Sequence, residues 1–144
     1  MSWYYNNKEF IDKMIPDKAI GFVYNMEAVI NGKKVSYIGK KNFYSNTRVK
    51  LAKKNLPTDK RKKTYKTVTK LAYNNYYSSN DVLKTAHKNG VPIKRYILKI
   101  CYSKTELSYY ETKYQFVYEV LESDTWLNGN ILGKFYKQKH HDKQ

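Results

Sequence analysis

Residues Ala19 to Ile30 read Ala-Ile-Gly-Phe-Val-Tyr-Asn-Met-Glu-Ala-Val-Ile; Asn31-Gly32 follows, and then Lys33 to Gly39, Lys-Lys-Val-Ser-Tyr-Ile-Gly. Both flanking runs are rich in β-branched and aromatic residues, as strands are. Asn-Gly between them is a strong hairpin signal, because a two-residue turn of this type needs positive φ at both positions. The sequence therefore predicts an antiparallel hairpin with Ile30 opposite Lys33, Met26 opposite Tyr37 and Tyr24 opposite Gly39. Side chains alternate with period two, and opposed residues share a face. Tyr24 and Tyr37 thus fall diagonally adjacent on one face, with a glycine beside them that leaves room. On spacing alone the simpler reading is two core tyrosines on the buried face of a hairpin.

Outward from the hairpin, a third strand is expected at Lys94 to Tyr102, where Tyr96, Leu98, Ile100 and Tyr102 alternate with Arg95, Ile97, Lys99 and Cys101. Asn80 to Lys88 reads as a short helix capped by Asn80 or Ser79 and stopped at Asn89-Gly90. Thr47 to Lys54 is expected to form another helix. The strongest helical pattern is Lys104 to Leu121. Ser103 and Glu106 form a capping box at its start, and Leu107, Tyr110, Tyr114, Val117, Tyr118 and Leu121 make one apolar face. At about 100° per residue, Glu111 lies roughly 40° from Leu107, at the border of that face. A carboxylate there must be paired with a lysine or bind a cation. These elements predict an α+β (α/β) domain: a small three-stranded antiparallel sheet flanked by helices. Residues 1–18 are expected to be an N-terminal leader with a helix around Lys8 to Met14, 19–135 the single domain with a basic insert at 48–70, and 136–144 a polar tail containing His140-His141.

The chain has 144 residues and 28 Lys+Arg against 12 Asp+Glu, for a formal charge of +16. Such an excess opposes compact folding by self-repulsion and implies a polyanionic partner. Nucleic acid is the commonest, since each neutralised phosphate releases a counterion. The charge is concentrated: between Lys40 and Lys70 twelve basic residues face one acid, Asp59. Lys50, Lys53, Lys54, Lys60, Arg61, Lys62, Lys63, Lys66 and Lys70 are the candidate nucleic-acid contacts. Tyr65, Tyr73, Tyr76 and Tyr77 are interleaved with them or follow soon after, as stacking on bases or sugars would require.

Much is excluded as well. No apolar run is long enough to span a bilayer, so no membrane partner is expected. Met1 to Phe10 is polar and aromatic, without the form of a secretory signal. The single cysteine, Cys101, excludes an internal disulfide framework and fits a reducing compartment, and the expected location is intracellular and cytoplasmic. There is no zinc-type cysteine–histidine spacing, P-loop or dinucleotide-binding fingerprint. With His87 the one histidine outside the tail, chemistry led by a histidine base is not expected. One metal held by a single carboxylate and waters needs few ligands.

At this point the residues resemble the GIY-YIG nuclease family. Gly21-Phe22-Val23-Tyr24 stands for the first motif and Tyr37-Ile38-Gly39 for the second. Lys40-Lys41-Asn42-Phe43 follows, and Arg48 comes nine residues after Gly39, near the place of the family's catalytic arginine. Glu111 lies on a later helix, like the family's metal-binding glutamate, and Asn130-Ile131 resembles its terminal asparagine and apolar residue. The resemblance covers about Ile20 to Phe135. There are departures. Phe22 stands where the first motif has glycine, Lys50 is an alternative to Arg48, and Asn128 competes with Asn130.

The resemblance implies an endonuclease hydrolysing DNA phosphodiester bonds with one divalent metal, magnesium or manganese, at Glu111. Tyr24, with Tyr37, would orient or activate the attacking water, aided by Lys40 and Lys41. Arg48 would stabilise charge on phosphorus, and Asn130 would hold the site together. The basic insert suggests the phage-type, homing-like enzymes, acting as a monomer or as a dimer on DNA. The alternative is a non-catalytic basic nucleic-acid-binding module, or a regulator on a degenerate nuclease fold. Glu111 and Arg48 distinguish the readings, since a module needs neither.

Overall fold

A computed structural model describes residues 2–50 and 65–137. Lys53, Lys54, Lys60, Arg61, Lys62, Lys63 and the His140-His141 pair lie outside these described residues.

The hairpin forms as its sequence dictates. Strands β3 (Gly21–Ile30) and β4 (Lys33–Asn42) pair antiparallel, with Ile30 opposite Lys33 and Tyr24 opposite Gly39. Asn31 and Gly32 both adopt positive φ at the turn. Strand β7 (Ile93–Cys101) pairs with the other edge of β3. The β3–β7 register slips between Val23 and Tyr24, a bulge beside the first motif that re-aims side chains locally.

The sheet is larger than expected. Residues 1–18 contribute β1 (Trp3–Tyr5) and β2 (Lys8–Phe10), not a helix, followed by one 3-10 turn at Asp12–Met14. β1 lies parallel to β7, giving five strands in the order β2-β1-β7-β3-β4. The physical reason is burial. Trp3 and Phe10 are almost fully enclosed, and Asn6-Asn7 supplies a turn with positive φ at both positions.

Chain segments cover both faces of the sheet. On one, Trp3, Phe22, Tyr24, Met26, Phe43, Tyr73, Leu83 and Ile93 cluster under the segment after residue 71 and helix α1 (Asp81–Lys88). Asn80 caps α1 by accepting from the Val82 and Leu83 amides. On the other, Val23, Ile38, Cys101, Leu107, Val120 and Ile131 cluster beneath helix α2 (Lys104–Val117), which Ser103 caps. α2 stops earlier than Leu121, because Tyr118 leaves helical geometry and Glu119 takes positive φ. Its buried side is also rotated from the expected one. Val117 and Tyr118 are exposed, and Gln115 is buried in their place.

The expected helix at Thr47 to Lys54 is replaced, as far as Lys50, by strand β5 (Tyr44–Lys50). It pairs only with β6 (Tyr65–Leu71), forming a separate two-stranded ribbon. A small hairpin of β8 (Asn130–Ile131) and β9 (Phe135–Tyr136) ends the described chain.

Candidate active site

The site is built where β4, the edge strand of the sheet, meets α2 and the segment leading to α1. Tyr24 is 1% exposed, and its ring tilts against that of Tyr37 at 6.3 Å between centroids. This closeness depends on Gly39. A Cβ there would stand 2.5 Å from the Tyr24 hydroxyl oxygen and 3.0 Å from a Tyr37 ring carbon. The last glycine of Tyr37-Ile38-Gly39 is therefore the space that the Tyr24 phenol fills. Gly21 has a similar reason, since a Cβ there would lie 2.5 Å from the Lys41 carbonyl oxygen. Phe22, the departure in the first motif, is fully buried against Trp3, Phe43 and Tyr73.

The Tyr24 hydroxyl donates to Ser78 Oγ at 3.4 Å and lies 3.3 Å from the Tyr76 hydroxyl. Burial, then the neighbouring Tyr76, push its pKa far above the ordinary phenol range, against a smaller opposing effect of Ser78. Tyr37 is also raised by burial and by the Glu111 charge, with the Ser79 hydrogen bond opposing. Both are neutral phenols at physiological pH, suited to orienting a water rather than removing its proton.

Glu111 projects from α2 with its side chain 21% exposed, and its nearest charge is Lys40 Nζ at 4.0 Å. Lys40 also donates to Ser108 Oγ at 3.0 Å. Burial raises the Glu111 pKa and Lys40 only partly offsets it. The carboxylate is thus under-compensated, and a divalent cation that keeps several waters would supply the missing charge. No group of three or more histidine, cysteine or acidic side chains that could hold a metal occurs among the described residues. The donor set fits a metal held by one carboxylate and not an all-protein cage. Lys41 places its ammonium 4.5 Å from the Tyr76 ring centre, and the Tyr76 hydroxyl in turn lies 3.3 Å from that of Tyr24.

Of the two asparagines, Asn128 is the buried one. Its Nδ2 donates to the Ile38 carbonyl at 2.8 Å, and its Oδ1 accepts from the Ile38 amide at 3.1 Å. It extends the outer edge of β4 at the centre of the second motif. Asn130 is exposed and accepts from the Gly133 amide, which assigns its hydrogen bond to a turn.

Arg48 is not drawn into the tyrosine–glutamate cluster. It lies on β5 opposite Thr67, and among the described residues its side chain rests on the Tyr65 ring at 5.0 Å. Lys50, Lys66 and Lys70 lie on the same ribbon. His87 stacks on Tyr77 at 3.6 Å and has no place among the site groups. The sequence reading gave no sign of Ser78 or Ser108, which carry no motif, and offered Ser79 only as an alternative helix cap. It named Tyr76 only as an aromatic near basic residues. It also missed Arg95, which is buried and donates to the carbonyls of Asn74 and Tyr76, fixing the loop that brings Tyr76 to Tyr24. A hollow of about 540 Å³ between the hairpin tip and α1 lies away from this cluster.

Among protein families, the one described as "Putative endonuclease segE, GIY-YIG domain" matches residues 3–131. No curated protein and no solved structure matches the chain.

Proposed function

Because the chain belongs to the GIY-YIG endonuclease domain family of segE, we propose that this nuclease hydrolyses DNA phosphodiester bonds with the help of one divalent metal held at Glu111. The observation that carries the proposal is the convergence of Tyr24, Tyr37, Lys40 and the under-compensated Glu111 carboxylate at the β4 edge of the sheet. When bound, magnesium or manganese would polarise the scissile phosphate and stabilise the leaving oxygen.

The chain's own residues do the rest. Tyr37, facing both Glu111 and Ser79, orients the attacking water as a neutral phenol. Tyr24, held by Tyr76 and Ser78, keeps Tyr37 in place and lends its hydroxyl to the same network. Lys40 and Lys41 meet the non-bridging oxygens and offset charge as it builds on phosphorus. In this reading they take the part that the family resemblance implied for Arg48, while Arg48, Lys50, Lys66 and Lys70 contact DNA from the ribbon. Asn128, rather than Asn130, holds the second motif. The basic ribbon between the hairpin and α1 supports the phage-type, homing-like reading, in which an added DNA contact lends a small catalytic domain its site preference.

The test is incubation of supercoiled plasmid with the protein and magnesium. One metal site cuts one strand per encounter, so the expected product is nicked circle, lost in EDTA and in Glu111→Ala. If wild type and Glu111→Ala nick alike, the mechanism is wrong. Duplex binding with no nicking under any metal would leave the non-catalytic module standing.

A further inference from the structure

The β5–β6 ribbon has no core to explain it. Every residue of β5, and all of β6 except the half-buried Val68, is exposed. An isolated two-stranded hairpin is marginal in water, yet this one is joined to β4 by the single residue Phe43, which is fully buried. The ribbon is therefore anchored at its base by a buried residue, and among the described residues nothing packs over its length.

Its register sorts the side chains. Tyr44 pairs with Leu71, Asn46 with Thr69, Arg48 with Thr67 and Lys50 with Tyr65, and these share one face. Ser45, Thr47, Val49, Lys66, Val68 and Lys70 make the other. The first face is pre-ordered by side-chain contacts. Thr69 donates to Asn46 Oδ1 at 2.7 Å, leaving the Asn46 amide NH2 to donate elsewhere, and Arg48 lies over Tyr65. The ribbon carries Arg48, Lys50, Lys66 and Lys70 and no acid.

We infer that the ribbon enters the major groove of duplex DNA with the Arg48 face toward the base edges, giving the enzyme a sequence preference. The inference rests on the DNA substrate proposed above and adds how the DNA is read. A two-stranded ribbon fits a groove about 12 Å wide, and a seven-residue strand at about 3.3 Å per residue spans most of a helical turn. Arginine to guanine O6 and N7 is the commonest specific contact, and asparagine suits adenine. Held on Tyr65, the Arg48 fork loses less freedom on binding than a loose side chain would. Lys66 and Lys70, on the opposite face, reach the flanking phosphates and carry no sequence information. Because β5 runs on from β4, a duplex gripped by the ribbon also passes the Tyr24–Glu111 edge.

The test is selection of bound duplexes from a randomised DNA library by the full chain in EDTA, where nothing is cut. Wild type is expected to enrich a short motif containing a G·C pair. Arg48→Ala should lose the preference at that pair by roughly ten- to a hundredfold. Tyr65→Ala should weaken it with the arginine still present. Replacing that guanine by 7-deazaguanine should reproduce the Arg48→Ala result with wild-type protein. Lys66→Ala and Lys70→Ala should leave the motif unchanged, weaken all duplexes alike and make the salt dependence shallower by about one ion each. A selection that returns no motif, or a motif unchanged in Arg48→Ala, overturns the inference, as does tighter binding of single strands or RNA than of duplex. A motif obtained with a protein that never nicks plasmid supports the ribbon's role and counts against hydrolysis instead.

Discussion

The phenol of Tyr24 lies across the Cα of Gly39, so close that a methyl group there would stand 2.6 Å from the ring carbon bearing the hydroxyl. One motif's tyrosine thus occupies the space left by the other motif's glycine. Neither can be changed alone without disturbing its partner.

Gly39→Ala is therefore expected to push Tyr24 off Tyr76 and Ser78. Overpacking of this kind costs about 1–3 kcal/mol, and a displacement near 1 Å at reacting groups costs about a hundredfold in rate. Urea melts and plasmid nicking read the two effects separately. Adding Tyr24→Ala should return part of the lost stability and none of the activity, a non-additive cycle expected of residues in contact. Strict additivity in stability would mean that the contact does not govern the packing.

Asn128 and Asn130 should separate cleanly. Asn128→Ala leaves the Ile38 amide without its partner and its carbonyl with only a 3.5 Å approach from Gln115. Buried groups left in that state destabilise by about 2–4 kcal/mol in total. Asn130→Ala removes one exposed bond and should cost less than about 1 kcal/mol. Chemical denaturation decides it, and equal losses would contradict the burial difference between the two.

The hairpin was legible because its signals are local. Asn31-Gly32 fixes the turn, the turn fixes the register, and the register sets Tyr24 beside Tyr37. Glu111 was legible because helical periodicity alone puts it at the edge of a buried face. What escaped was non-local. Trp3 and Phe10 belong to strands of three residues each, too short for a visible alternation, and β7, which pairs with the strand of Trp3, lies some ninety residues on. The ribbon is exposed on both faces, so its strands show no apolar alternation, and a lysine-rich run reads as helix or loop. Gln115 is buried because its Nε2 approaches the Ile38 carbonyl, a pairing that no pattern of apolar residues signals.

Arg95 should matter to a site it does not touch. Its guanidinium donates to the Asn74 and Tyr76 carbonyls and stacks over Tyr77 at 4.1 Å and Trp3 at 4.8 Å. Lysine keeps the charge but cannot span two carbonyls and two rings. Arg95→Lys is expected to lose about 2–4 kcal/mol and to lower nicking about tenfold, with the dependence on magnesium concentration unchanged. Full activity at reduced stability would show that the Tyr76 loop packs the fold without serving the site.

Glu111 gives the sharpest test, because its pKa and its proposed role oppose each other. Burial raises its pKa above the ordinary value of about 4.3, so the folded chain binds this proton more readily than the unfolded chain. Ionised Glu111 therefore lowers stability above its folded pKa, and the effect vanishes below the unfolded value. Without metal, Glu111→Gln should melt higher than wild type at neutral pH, and the difference should close as pH falls below about 4. Magnesium should raise the melting temperature of wild type, through binding to the folded state alone, and leave Glu111→Gln unmoved. Nicking should decline as pH falls through a value above the usual glutamate range. Lys40→Met, which removes the partly compensating ammonium, should move that decline to still higher pH. A Glu111→Gln protein less stable than wild type in EDTA at neutral pH, or one stabilised equally by magnesium, would mean that Glu111 is a structural ion-pair partner of Lys40 and not the metal's ligand.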